Sequence, residues 1–179
     1  MLILPAEQVT YCFVSSRVDK ARVQRPGLEY QGRFYLKDAT YPQHDKQEAV
    51  QQARQKLLAN PDQALLLVEE GDTITLWHYA RKAQKVSSIF AIDLKQLAAA
   101  MAAGDGVAIK SRQFRLKTYP NCFIGSEAVD WLVDYLRMPR QDAVRVGQRL
   151  MSENWIHHVA NESTFQDDFF FYRFRQDQP

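Results

Sequence analysis

The segment KTYPNCFIGSEAVDWL, residues 117 to 132, constrains the fold more than any other part of the chain. Its third residue, Tyr119, precedes a proline, and a residue in that position avoids helical backbone angles. Apolar residues at helical spacing then form one stripe, which consists of Val129, Leu132, Val133 and Leu136. We therefore predict an extended segment that leads directly into an amphipathic helix at residues 126–137. Ser126 is the predicted N-cap, accepting a hydrogen bond from an unpaired backbone N–H, and Glu127 suits the positive end of the helix dipole.

The same segment contains two potential nucleophiles, Cys122 and Ser126. Cys122 has apolar neighbours, which raise the pKa of a thiol instead of activating it. Its candidate bases, His157 and His158, are adjacent on a predicted strand, so only one of them could face it. Ser126 lacks the second glycine of a Gly-x-Ser-x-Gly elbow, because Ala128 stands there. We expect no catalytic residue here and a protein that is not an enzyme.

The rest of the C-terminal half predicts a compact set of helices and strands. Further helices are expected at residues 92–103 and 140–153, with an irregular β arm at 106–120. Two closing strands at 155–160 and 169–174 are joined by the loop NESTFQDD. Three helices with a β arm and a terminal hairpin predict a winged-helix-like domain.

The N-terminal half shows a different pattern. Strands are predicted at residues 9–16 and 28–38 and a helix at 45–59. A hairpin follows at 63–80 with a Gly71-Asp72 turn. We predict an α+β protein in which residues 1–88 form a small α+β domain of unknown role with antiparallel strands and one main helix, and residues 89–179 form the second domain. No catalytic constellation is visible in the first domain, although a ligand-binding site there, with the second domain as output, is an alternative.

Composition narrows the class of protein. The chain has 179 residues, a net charge of +2 and two cysteines. So small a net charge does not by itself indicate nucleic acid or membrane binding, and so few cysteines favour reduced thiols. No apolar run reaches the ~18 residues of a membrane span, and the N-terminus lacks the charged leader of a signal peptide. We expect a cytoplasmic protein.

The C-terminal half resembles the DEP domain family, the module of Dishevelled and pleckstrin. The residues that carry the resemblance are Phe123, Gly125, Asp130, Trp131, Leu132, Ala143, Gly147, Leu150, Tyr172 and Phe174. The resemblance implies a non-enzymatic signalling adaptor or targeting domain that brings proteins to membranes or receptors. It also implies a role in membrane targeting for Lys117, which matches a lysine of the Dishevelled type, and partner binding by the loop between the first two helices.

A cluster of basic residues lies in the predicted β arm. Four cations fall within eight residues without an acidic residue between them, namely Lys110, Arg112, Arg115 and Lys117. Each could contribute about 1 kcal/mol near an anionic membrane. We expect this arm to bind a protein partner or an anionic membrane surface, with the protein peripheral at the inner membrane face. The alternative is a solvated strand edge whose charges prevent aggregation.

A second basic cluster raises a DNA-binding alternative, because the third helix would occupy the recognition position of a winged helix. Its cations are Arg140, Arg145 and Arg149. Asp142 and Glu153 are spaced to pair with two of them along the helix, which argues against nucleic acid.

No cofactor or metal is expected, because Asp167 and Asp168 match no ligand spacing. The resemblance also allows a homodimer by helix exchange, with residues 104–106 as the hinge.

Overall fold

The computed structural model of the protein describes residues 1–18, 21–160 and 164–175. The chain divides into two compact units, Met1–Val86 and Ser87–Pro179. Both combine helices with strands, which confirms the predicted α+β class. Within the described ranges, no helix is long and apolar enough to cross a membrane.

The N-terminal unit is built on a seven-stranded sheet and one long helix. The elements are β1 (Leu2–Pro5), β2 (Thr10–Val18), β3 (Ala21–Tyr30), β4 (Arg33–Pro42), α1 (Lys46–Ala59), β5 (Leu65–Glu70), β6 (Thr73–Tyr79) and β7 (Gln84–Lys85). The spatial order of the strands is β1-β5-β6-β4-β3-β2-β7. Neighbours are antiparallel as predicted, except that β1 runs parallel to β5.

Turn chemistry explains two of the hairpins. The β5–β6 hairpin has the predicted turn, in which Gly71 has a φ of 58°. The β3–β4 hairpin turns at Gln31 and Gly32, whose φ values are 50° and 70°. The expectation of one strand at residues 28–38 was therefore wrong, because the turn at Gly32 separates the segment into the end of β3 and the start of β4.

The two faces of this sheet carry separate apolar clusters. Ala49 and Ala53 of α1 are fully buried against one face, where they meet residues of β5 and β6. The opposite cluster includes Leu28, Tyr35 and Trp77. Side chains alternate between the two faces of a strand, so successive apolar residues of one strand contribute to the two clusters in turn.

The C-terminal unit contains three helices and a four-stranded sheet. The elements are α2 (Leu94–Ala102), β8 (Lys110–Phe114), β9 (Lys117–Ile124), α3 (Gly125–Leu136), α4 (Arg140–Ser152), β10 (Ile156–His158) and β11 (Phe171–Phe174). The strand order is β10-β11-β9-β8. The three predicted helices and the closing strands are present with small changes in their ends. In the loop predicted between those strands, residues 161–163 lie outside the described part of the chain.

Two glycines are needed where this core is tightest. A Cβ atom at Gly125 would lie 2.3 Å from the carbonyl oxygen of Gln166. One at Gly147 would lie 2.2 Å from the ring of Phe165, which is buried. Both distances are far below van der Waals contact, so these glycines let α3 and α4 approach the loop before β11.

The prediction that Ser126 caps α3 was wrong. The helix begins at Gly125, and no side chain caps its first turn. The backbone N–H of Gly125 donates to Phe170 O at 2.9 Å, and that of Ser126 donates to Asp168 O at 3.1 Å. Carbonyl oxygens of the loop that precedes β11 therefore accept hydrogen bonds from the first backbone N–H groups of α3. The side chain of Ser126 was expected to accept one of these bonds.

Candidate functional site: the basic arm

The predicted β arm is a hairpin formed by β8 and β9. Its two-residue turn consists of Arg115 and Leu116, with φ values of 48° and 64°. Positive φ at both positions is typical of a type I′ turn, which usually takes Asn-Gly. Two side chains with a Cβ atom therefore occupy strained positions at the tip, at a cost of about 1–2 kcal/mol per residue.

The tip of the arm combines cations with exposed apolar side chains. Leu116 is 96% exposed and Phe114 is 45% exposed. Lys117 pairs with Phe114 across the hairpin, and residues directly opposite each other point to the same face. The Arg115 guanidinium lies 5.3 Å from the Phe114 ring centroid, and the Lys117 ammonium lies 5.4 Å from that of Tyr119. We call Phe114, Arg115, Leu116 and Lys117 the arm tip.

Of the four predicted cations, Arg112 differs from the others. Its Nη2 donates to Glu127 Oε2 at 2.7 Å and to Ala108 O at 3.2 Å, and its side chain is only 17% exposed. Lys110, Arg115 and Lys117 are exposed, and the described residues offer none of them a carboxylate within ion-pair distance. Arg112 thus positions the base of the arm against the first turn of α3, while the other three charges face solvent.

An aromatic cluster supports the arm from β11. Phe171 is buried, and its ring lies 6.3 Å from that of Phe114 and 5.6 Å from that of Tyr119. The ring of Phe169, which is 58% exposed, lies 5.3 Å from that of Phe171. Beside these rings is a cleft of about 160 Å³, lined by Phe114, Tyr119, His158, Val159, Ala160, Phe169, Phe170 and Phe171.

Cys122 forms hydrogen bonds at the base of the arm. It is fully buried, and burial raises the pKa of its thiol. The thiol donates to the backbone carbonyl oxygens of Tyr119, at 3.3 Å, and Lys110, at 3.5 Å. A buried thiol with a raised pKa is a poor nucleophile at neutral pH, so its role here is to tie β9 to β8.

The arginines of the second basic cluster all pair with carboxylates. Arg140 binds Asp167 through two hydrogen bonds of 2.5 Å and also reaches Asp130 at 2.5 Å. These bonds raise the pKa of Arg140. The two pairs expected from helical spacing are present, Arg145 with Asp142 at 3.1 Å and Arg149 with Glu153 at 2.8 Å. A DNA reader would leave such charges available for phosphates.

Both aspartates of the loop before β11 form contacts within the domain. Asp167 holds Arg140, and Asp168 Oδ1 accepts from the backbone N–H of Phe169 at 2.6 Å. Among the residues that the structure describes, no group of His, Cys, Asp and Glu is arranged to hold a metal ion.

The segment named as a hinge, residues 104–106, closes tightly against the end of α2. The backbone N–H of Val107 donates to Met101 O at 2.8 Å, and a Cβ at Gly106 would lie 2.1 Å from that same oxygen. The indole N–H of Trp131 donates to Asp105 O at 3.2 Å. Helix exchange through this segment stays a prediction, and it would require these bonds to open.

Comparison with known proteins identifies the family of this unit. Residues 106–174 match the family model described as "Domain found in Dishevelled, Egl-10, and Pleckstrin (DEP)". The C-terminal unit contains a DEP domain. This confirms the resemblance seen in the sequence and supports a signalling or targeting role.

The chain aligns with only a small part of the length of each relative. The human phosphatidylinositol 3,4,5-trisphosphate-dependent Rac exchanger 2 protein is 41% identical over 73 residues, which are 40% of this chain and 4% of that protein. The vacuolar membrane-associated protein IML1 of Saccharomyces cerevisiae is 35% identical over 86 residues, covering 46% of this chain and 5% of that protein. A solution structure of the human pleckstrin DEP domain aligns with a TM-score of 0.45 and 21% identity, over 52% of this chain and 84% of that one.

The sequence patterns indicated Phe114 beside the cations but not the other exposed apolar side chains of this region. The basic residues of the arm were the predicted feature, and neither Leu116 nor Phe169 was predicted. A leucine between two basic residues at the centre of the hairpin was a usable signal, since a solvated turn has no need of a large apolar side chain.

Proposed function

We propose that the DEP domain attaches this protein to an anionic membrane surface through the arm tip. The observation that carries the proposal is the nearly full exposure of Leu116 between two cations, Arg115 and Lys117. An apolar side chain at this position can enter the boundary between headgroups and acyl chains. The flanking cations would then lie at the level of anionic headgroups.

The energies suit weak and reversible attachment. Burial of a leucine side chain contributes about 1.5–3 kcal/mol. Arg115, Lys117 and Lys110 would each add about 1 kcal/mol at an anionic surface. The total resembles that of a single lipid anchor, which gives marginal and reversible binding. Location at the inner face of a membrane, where anionic lipids are enriched, fits this arrangement.

The backbone of the arm supports the same proposal. Asn-Gly would form the turn without the strain that Arg115 and Leu116 carry. Strained backbone tends to occur where side chains have a function. The yeast relative bears the name vacuolar membrane-associated protein, which is consistent with a membrane role for a protein that contains this domain.

Vesicle binding tests the proposal. The full chain is sedimented with vesicles of phosphatidylcholine alone or with added phosphatidylserine, at low and high NaCl. We expect binding to the anionic vesicles only, and weaker binding at high salt. The R115E/K117E variant should lose its binding to anionic vesicles.

A control that reverses a single charge is available on α2. Lys95 is an exposed cation on α2, outside the arm, and K95E should bind vesicles almost as the wild type does. Binding by R115E/K117E at the wild-type level would contradict the proposal, and equal losses in both variants would reduce it to a nonspecific charge effect.

A protein partner is the second candidate, favoured by the aromatic cleft beside the arm. The cleft exposes rings that an apolar side chain of a peptide could contact. Phe169→Ala removes one wall of the cleft and leaves the arm tip intact. Capture of a protein that is lost on Phe169→Ala, together with an absence of vesicle binding, would favour this candidate over the membrane.

A further inference from the structure

The large apolar side chains that the C-terminal unit exposes are concentrated in one region. Among the residues of this unit that the structure describes, four large apolar ones are exposed, namely Phe90, Phe114, Leu116 and Phe169. Phe114 and Leu116 belong to the arm tip, and Phe169 lines the cleft beside it. Single exposed apolar residues are ordinary on a protein surface, but neighbouring ones mark an interaction site. The region around the arm tip therefore contains more apolar surface than Leu116 alone provides.

One apolar surface connects the arm tip with Phe169. Phe114 and Phe169 both line the cleft of about 160 Å³. The buried ring of Phe171 lies 6.3 Å from the ring of Phe114 and 5.3 Å from that of Phe169. The two exposed rings are therefore joined through Phe171, and the apolar surface continues from the arm into the loop before β11.

Hydrogen bonds hold the backbone on both sides of Phe169, although its ring is exposed. The backbone N–H of Ser126 donates to Asp168 O at 3.1 Å, and that of Gly125 donates to Phe170 O at 2.9 Å. The N–H of Phe169 itself donates to Asp168 Oδ1 at 2.6 Å. The ring is thus presented to solvent from a fixed support, which lowers the entropy that is lost when it binds.

Charge is distributed unevenly around this apolar surface. The arm contributes three cations that face solvent, Lys110, Arg115 and Lys117. Two aspartates lie next to Phe169 in the sequence, and Asp167 is neutralised by Arg140. Asp168 is exposed and forms no ion pair with the described residues. The surface is therefore positive on balance, with one negative charge beside Phe169.

We propose that Phe169 is a second insertion point in an anionic membrane, together with Leu116 of the arm tip. The inference rests on the proposed attachment through the arm tip, and it adds which face of the domain lies against the bilayer. With one insertion point the domain can rotate about its arm, whereas a second point fixes its orientation. In that orientation the aromatic cleft faces the acyl chains, and the cations of the arm lie at the level of the headgroups.

A bilayer suits this surface better than a peptide or a small molecule does. The cleft has a volume of about 160 Å³, which is below the range of about 300–1,000 Å³ that is usual for ligand pockets. Leu116 does not line the cleft, so a peptide side chain that filled it would leave Leu116 uncovered. A fluid apolar layer covers Leu116, Phe114 and Phe169 together. Protruding apolar side chains with cations beside them are typical of surfaces that bind at the boundary between headgroups and acyl chains.

A depth measurement with a spin label tests the proposal directly. Phe169→Cys provides one reactive thiol, because the natural cysteines, Cys12 and Cys122, are buried. When the full chain is bound to vesicles of phosphatidylcholine and phosphatidylserine, the label at this position should be shielded from a water-soluble relaxation agent. A label introduced by Phe90→Cys, at a position that is 77% exposed and outside the cleft, should stay accessible to that agent. Full accessibility of both labels in the bound protein would overturn the proposal.

Alanine variants separate this inference from the proposed function. Phe169→Ala should weaken binding to the anionic vesicles about tenfold, because a large apolar side chain is lost from the contact. Phe90→Ala is the matched control and should bind as the wild type does. Normal binding by Phe169→Ala with weak binding by Leu116→Ala would refute the second insertion point alone. Normal binding by R115E/K117E would refute the attachment through the arm tip, and this inference with it.

Asp168 provides a test in which binding should increase. If Phe169 enters the membrane, the Asp168 carboxylate lies near anionic headgroups and opposes binding. Asp168→Asn keeps an oxygen that can accept from the Phe169 N–H, so it should strengthen binding to phosphatidylserine vesicles about fivefold, and less at high salt. Asp62→Asn removes an exposed charge from the N-terminal unit and should change binding little. Unchanged binding by Asp168→Asn, or an equal gain in both variants, would contradict the position of Phe169 at the membrane.

Discussion

The two basic clusters of the DEP domain contain the same kinds of residue in opposite surroundings. On α4, Arg140, Arg145 and Arg149 each hold a carboxylate. At the arm tip, Arg115 and Lys117 lie beside exposed apolar side chains instead. The first cluster is neutralised by ion pairs within the domain, whereas the cations of the second face solvent. A count of basic residues does not separate these roles, but their neighbours do.

The arm shows the same contrast along its length. At its base, Arg112, Cys122 and Tyr119 make contacts within the domain. At its tip, Leu116 makes few contacts and is almost fully exposed. We therefore expect changes at the base to affect stability and changes at the tip to affect binding.

The largest effect on stability should come from Phe171→Ala. This ring is buried and supports Phe114 and Tyr119, so its loss should lower the free energy of unfolding by about 3–5 kcal/mol. Leu116→Ala should change that free energy by less than about 0.5 kcal/mol. Urea unfolding of both variants checks this prediction. Similar losses in the two variants would mean that the tip is part of the core.

A smaller effect is expected from Arg140→Ala. Arg140 is 49% exposed, which limits the value of its ion pairs, but it forms a fork with Asp167 and also holds Asp130. Its removal should lower the free energy of unfolding by about 1–2 kcal/mol. Arg115→Ala, which breaks no ion pair among the described residues, should have an effect close to zero. A reversed order would contradict the distinction between the two clusters.

The smallest effect concerns pH and His157 at the domain's closing strand. Burial lowers the pKa of His157, and the charges of Arg175 and Arg173 lower it further. The unfolded chain, with an ordinary histidine pKa of about 6.5, then binds protons that the folded domain does not bind. Stability is therefore complete above about pH 6.5 and decreases as the pH falls below that value. His157→Gln should reduce this decrease in melting experiments between pH 7.5 and 5.5, and an unchanged decrease would exclude His157 as its source.

The local patterns of the sequence predicted most of the C-terminal domain. The apolar stripe of α3 and the proline before it placed the helix and the arm nearly correctly, because both depend on neighbouring residues. The predicted cap at Ser126 was wrong because the backbone donors at the start of α3 bind the carbonyl oxygens of Asp168 and Phe170, more than forty residues away along the chain. The pairing of Arg112 with Glu127 also depends on tertiary structure, so charge alone grouped Arg112 with the solvent-facing cations.

The N-terminal unit shows the limits of local patterns more clearly. Periodicity and turn residues predicted α1 and the β5–β6 hairpin. The parallel pairing of β1 with β5 was missed, because its register joins residues more than sixty positions apart.

The most direct test of the account replaces the turn of the arm and keeps its hairpin. In the R115N/L116G variant the two turn residues favour positive φ, so the free energy of unfolding should rise by about 1 kcal/mol or more. The same change removes Leu116 and one charge, so binding to phosphatidylserine vesicles should fall about a hundredfold. A more stable protein that no longer binds is the predicted result. A variant that binds anionic vesicles as tightly as the wild type would contradict the claim that the arm tip attaches this protein to membranes.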